Sequence, residues 1–157
     1  MKSLFILLFL TGFVSSYGQN PLIDAINSKN YALAQKTIEK GTNIDQPIEV
    51  DNQKMTFLSY ACLQGDVEMV QLFLKKGALV TPITEGKDAL MYAAQGGNRE
   101  IIELLLNKGA SVMNESKEGL TARDYARKAG HQEIEALLAS EMKIIMDQAR
   151  AKRGVKK

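Results

Sequence analysis

Three tyrosine-alanine pairs, Tyr60-Ala61, Tyr92-Ala93 and Tyr125-Ala126, recur 32 and 33 residues apart. A period of this length restricts the chain to architectures that stack one small supersecondary unit on the next. The flanking segments repeat in register. TFLSYACLQGDVEMVQLFLKKGA runs from Thr56 to Ala78, DALMYAAQGGNREIIELLLNKGA from Asp88 to Ala110, and TARDYARKAGHQEIEALLAS from Thr121 to Ser140. A weaker copy, PLIDAINSKNYALAQKTIEKG, occupies Pro21 to Gly41. Its Ala25 precedes Ala61 by 36 residues, so the first connection is longer than the others.

Each copy reads as an inner helix, a turn and an outer helix. Alanine at the shared position combines good helix propensity with the smallest side chain, which lets neighbouring helices approach. In the outer helices Met69, Val70, Phe73 and Leu74 fall at i, i+1, i+4 and i+5, and Ile101, Ile102, Leu105 and Leu106 repeat the spacing, which lays the apolar residues on one face. Gly65, Gly97 and Gly130 separate the two helices where a left-handed residue is needed, and Gly77 and Gly109 end the outer helices. No unit has enough apolar surface to stand alone, so stacking must bury it.

These copies resemble the ankyrin repeat. The third is the nearest match, through Leu90, Ala93-Ala94, Gly97, Ile101-Ile102, Leu105-Leu106 and Gly109-Ala110. The second keeps Thr56, Leu58, Ala61, Gly65, Val70, Leu74 and Gly77-Ala78; the fourth keeps Gly119, Thr121, Ala126, Gly130-His131, Glu133-Ile134 and Leu137-Leu138. The departures are Lys29 in place of the inter-helix glycine, Ser59, Met91 and Asp124 in place of the family histidine, and a motif proline that survives only as Pro21. The resemblance implies an all-α solenoid of about four helix-turn-helix repeats, over roughly 20–45, 54–81, 86–113 and 119–140, within a domain of 19–140.

The first eighteen residues differ in kind. Met1-Lys2 gives a positive start, Leu4 to Val14 is an uncharged and mostly apolar run, and Ser15-Ser16-Tyr17-Gly18 follows. This is the layout of a secretory signal peptide over 1–18, cut between Gly18 and Gln19, with a cut after Ser16 as the second choice. An uncleaved anchor is disfavoured, because spanning a bilayer takes about 20 apolar residues. The expected location is therefore the periplasm or the cell exterior, with membrane contact only through the signal peptide. The single cysteine, Cys62, reads as a buried structural thiol.

Charge is unevenly placed. Residues 19–140 hold 13 basic and 16 acidic side chains, whereas 141–157 hold 6 basic and 2 acidic. A broad basic face for nucleic acid is not seen. In the tail, Leu138, Met142, Ile145, Met146 and Ala149 form an amphipathic stripe. It is expected to extend or cap the stack over 141–157, the alternative being a helix that binds a partner or a membrane surface.

Nothing in the chain reads as chemistry. The only histidine, His131, lies at a structural position of the repeat and has no nucleophile or acid partner. One Cys and one His cannot fill a zinc site, and Gly96-Gly97 lies between two helices rather than after a strand. No cofactor and no metal are expected.

What remains is a surface. By the resemblance, hairpin tips and inner helices form a concave binding face. The matching positions are Asn52, Gln53 and Met55, then Ile83, Thr84 and Lys87, then Lys117, Glu118 and Leu120 in the hairpins, with Leu63, Gln64, Gln95 and Lys128 on the inner helices. Met55, Leu63, Ile83 and Leu120 are the candidate apolar anchors, and Ile44 to Lys54 reads as an irregular hairpin that adds selectivity. The tyrosine ladder 60, 92 and 125 is read as packing rather than contact. The expectation is a monomeric, non-enzymatic protein that binds another protein. An immunity or inhibitor protein against a toxin or enzyme is the alternative, and a hydrolase a third reading.

Overall fold

The structure is a computed structural model that describes residues 20–154; the expected leader and its cut at Gly18 and Gln19 lie outside the described residues. Eight helices form four antiparallel pairs: α1 (Pro21–Asn27) with α2 (Tyr31–Glu39), α3 (Phe57–Leu63) with α4 (Val67–Lys75), α5 (Ala89–Gly96) with α6 (Arg99–Asn107), and α7 (Ala122–Lys128) with α8 (Gln132–Gly154). Between the first and second pairs lie two short strands, β1 (Ile48–Val50) and β2 (Gln53–Met55). The pairs stack in chain order: α5 packs along both α3 and α7, and α4 lies between α2 and α6.

Local sequence fixes most of the helix starts. Asn20, Asn30, Thr56, Asp66, Asp88 and Asn98 are N-caps whose side chains accept a backbone N–H of the first turn. Pro21 at the first helical position of α1 has no N–H to leave unsatisfied. Where the family histidine is missing, other bonds serve. Asp124 accepts from both the backbone N–H (3.0 Å) and the hydroxyl (2.7 Å) of Thr121, and Thr56 donates its hydroxyl to Ser59 (3.0 Å).

The inter-helix residues adopt the left-handed conformation the turn requires, with φ of 69° at Gly65, 76° at Gly97 and 82° at Gly130. Lys29 holds the same conformation at 51° with a side chain attached, which carries a steric cost the other repeats avoid.

Ala25, Ala61, Ala93 and Ala126 are all fully buried and let the inner helices approach. Met69, Val70, Phe73, Ile101, Ile102, Leu105, Ile134 and Leu138 fill the space between inner and outer helices, and the rings of Phe57 and Phe73 stack at 6.3 Å. Leu74 and Leu106 are half-buried at the edge of this layer. Tyr60, Tyr92 and Tyr125 are buried, as packing side chains are.

Of the two forms expected for the tail, the structure has the extension of the last outer helix and not a cap folded over the stack. α8 is one uninterrupted helix of 23 residues, whereas its partner α7 has 7. At about 1.5 Å per residue, α8 outruns any surface that α7 can offer. Leu138 is buried and Met142 half-buried, but Ile144, Ile145 and Met146 are 48 %, 42 % and 47 % exposed. The helix therefore leaves the stack after Met142 instead of folding over its end. The last repeat protects itself with charge: Glu135 accepts from Arg127 (2.8 Å) and Arg123 (3.3 Å), and Arg127 also meets Asp124 (3.2 Å). A polar outer face on the end repeat is what a stack needs in water.

Candidate functional site

The hairpins form one exposed ridge. In the first, Ile48 pairs with Met55, Glu49 with Lys54 and Val50 with Gln53. Asp51 and Asn52 close the turn with φ of 50° and 61°. Two left-handed residues in a two-residue loop define the turn that matches strand twist, and Asp and Asn tolerate it well. The segment read as irregular is thus the most regular hairpin of the described residues. The second tip repeats the device on a smaller scale: Thr84 and Lys87 exchange backbone hydrogen bonds of 2.9 and 3.0 Å around Glu85 and Gly86. In the third, Ser116 donates its N–H to Leu120 O (2.8 Å), and its hydroxyl accepts from the N–H groups of Glu118 and Leu120.

The three tips are tied side by side. The Lys54 N–H donates to Glu85 Oε2 at 3.3 Å, joining the first to the second. At Gly86 an added Cβ would stand 2.8 Å from the Lys117 nitrogen, so the second tip touches the third through a position where only glycine fits. Below them, Asn114 donates to Asp88 at 2.8 Å.

The tyrosines support this ridge from beneath. The Lys87 ammonium lies 5.3 Å from the Tyr92 ring centre and 4.8 Å from that of Tyr125, so one cation bridges two successive repeats. Burial raises the phenol pKa of all three tyrosines, reinforced by a carboxylate from the hairpin of the same repeat: Asp51 at Tyr60, Glu85 at Tyr92, Glu118 at Tyr125. All three rings therefore stay neutral. Tyr60 donates to Asn27 (2.6 Å) and Tyr125 to Glu118 (3.3 Å). The Glu118 carboxyl is held below the usual range, first by the Ser116 hydroxyl and then by its own backbone N–H.

The candidate residues divide by exposure. Asn52, Gln53, Gln64, Ile83, Lys117, Glu118 and Lys128 are exposed, while Leu63, Thr84, Lys87, Gln95 and Leu120 are half-buried. Met55 is 2 % exposed, so it is a core residue and not a contact anchor. Strand alternation turns it inward beside Ile48, its cross-strand partner. Of the apolar anchors, Ile83 alone is exposed, at 58 %. Leu79 and Met113, on the loops that lead to the second and third tips, are also exposed, and no periodicity distinguishes them in the sequence.

His131 and Cys62 both have structural surroundings. The His131 ring lies against Gly97 and its Nε2 is 3.1 Å from the Gln95 carbonyl oxygen, which can only accept, so the imidazole is a strut between repeats. Cys62 is fully buried, and desolvation pushes its thiol far above the ordinary range, which keeps it from becoming a thiolate. Among the described residues no group of three or more His, Cys, Asp or Glu could hold a metal ion, and no helix is long and apolar enough to cross a membrane.

A family model for ankyrin repeats (3 copies) matches residues 58–148, and one for ankyrin repeats (many copies) matches residues 22–74. No individual curated protein matches the chain.

Proposed function

From the premise that this chain belongs to the ankyrin repeat family, whose repeats are protein–protein interaction modules and are typically not enzymes, we propose that it binds a partner protein through the hairpin ridge and the adjoining face of the inner helices. One observation carries the reading. The three tips meet through the Lys54–Glu85 hydrogen bond and the close approach of Gly86 to Lys117, and Ile83 is exposed on the second of them, near the exposed Lys54 and Glu85. An exposed apolar residue with polar neighbours resembles an interface hot spot and its rim. Pre-formed tips also lose little freedom on binding.

The layout of 1–18 supports a partner outside the cytoplasm, in the periplasm or beyond the cell. The test is capture of the partner by the wild-type chain and by two variants. Ile83→Asp and Gln53→Ala, both at exposed positions, are each expected to weaken capture at least tenfold while the melting midpoint holds. Undiminished capture by both variants overturns the proposal. A captured partner with an enzymatic activity that this chain suppresses would make the protein an inhibitor.

A further inference from the structure

Past Met142 the last helix carries an ordered pattern into solvent. Met142, Ile145, Met146 and Ala149 recur at i, i+3, i+4 and i+7 and share one face of α8. At about 100° per residue, Lys143 and Arg150 border this stripe on one side and Glu141 and Lys152 on the other, Arg153 falls within it, and Asp147 and the exposed Ile144 lie opposite. Arg150 reaches Asp147 only loosely, at 3.8 Å. The stack over 19–140 is acidic, with 13 basic against 16 acidic side chains, whereas 141–157 has 6 basic and 2 acidic. The molecule is therefore polarised, with an acidic body and a basic, apolar-striped projection.

A second copy of α8 is a poor cover for this stripe. Stable interfaces bury about 1,200–2,000 Å² in total, and three large apolar side chains with one alanine on each side fall well short. Parallel pairing would also set basic residues against basic residues. We propose instead that the free part of α8 docks on the anionic surface of a lipid bilayer. Ile145 and Met146 would enter the boundary between headgroups and acyl chains, and Lys143, Arg150 and Lys152 would spread their stems along it towards lipid phosphates. The acidic stack would be held away from the surface. This inference does not depend on the ridge binding a protein, because the two surfaces share no residue.

The test is flotation of the purified chain with two kinds of vesicle: phosphatidylcholine alone, and phosphatidylcholine with an equal part of phosphatidylglycerol. N-terminal sequencing fixes the first residue, and every variant shares it, so differences report on the tail. The chain is expected to float with the anionic vesicles only, and to be released by salt. Removal of each basic residue, as in Arg150→Gln or Lys152→Gln, is expected to weaken partition about fivefold. Ile145→Asp with Met146→Asp should abolish flotation and leave the melting curve unchanged, since both side chains are exposed. Equal binding to neutral vesicles, binding indifferent to these variants, or no binding to either vesicle overturns the proposal. So does a dimer by sedimentation that Ile145→Asp dissociates, or retention on the chain of nuclease-sensitive nucleic acid.

Discussion

Gly96→Ala sets two opposed effects against each other, and the geometry decides between them. Gly96 is the last residue of α5 and is not in the left-handed region. In an isolated helix alanine would be favoured there by up to about 1 kcal/mol. In the stack, a Cβ would stand 2.7 Å from Cys62 O and 2.8 Å from Leu63 O, both backbone atoms near the end of α3. Backbone carbonyls cannot swing aside as a side-chain tip can, so the two inner helices must part. Overpacking of this kind costs about 1–3 kcal/mol, and rigid neighbours put this site at the upper end. After the propensity gain is subtracted, a loss of about 2 kcal/mol remains, or a melting midpoint about 4–8 °C lower. Circular dichroism against temperature measures it. Gly109→Ala is the control, because nothing lies within 4 Å of its Cβ position and only its φ of 89° opposes the change, at about 1–2 kcal/mol of left-handed strain less about 0.4–1 kcal/mol of chain entropy. A Gly96→Ala protein that melts at or above the parent would refute the close stacking of α3 on α5.

Three further outcomes are expected. Leu105→Ala, at a fully buried position, is expected to cost about 2–5 kcal/mol, read from the urea midpoint. Lys29→Gly is expected to stabilise the chain: about 1–2 kcal/mol of left-handed strain is relieved against about 0.4–1 kcal/mol of added chain entropy, a net gain of about 0.5–1 kcal/mol. The Asp124 carboxyl is held below its ordinary value, first by the Thr121 backbone N–H and then by its hydroxyl. A depressed folded-state pKa gives stabilisation that is present above the unfolded value and lost as pH falls through the folded one. The urea midpoint is therefore expected to drop as pH is lowered below about 4, and Asp124→Asn to lessen the drop.

The repeat body was legible because its constraints are local. A buried alanine, a left-handed turn and a helical stripe each leave a mark within one unit, and repetition amplifies it. The first hairpin was legible in principle. Ile48-Glu49-Val50 alternates and Asp51-Asn52 is a permissible two-residue turn, but both are masked by the extra length of this connection relative to the other repeats. The repeat pattern points Met55 to the surface, where strand alternation puts it inside. Lys87 between Tyr92 and Tyr125 could not be read, since it joins side chains from successive repeats. The tail stripe was visible, but whether it is covered depends on the length of α7 and not on the stripe.

Photo-crosslinking from single positions tests the central claim most directly. A crosslinker at Ile83, on the ridge, and another at Glu103, exposed on the outer helix α6, are compared in the compartment where the chain resides. The account predicts one discrete protein adduct from Ile83 and none from Glu103. The same adduct from Glu103 with none from Ile83 would place the partner on the outer helices and contradict it.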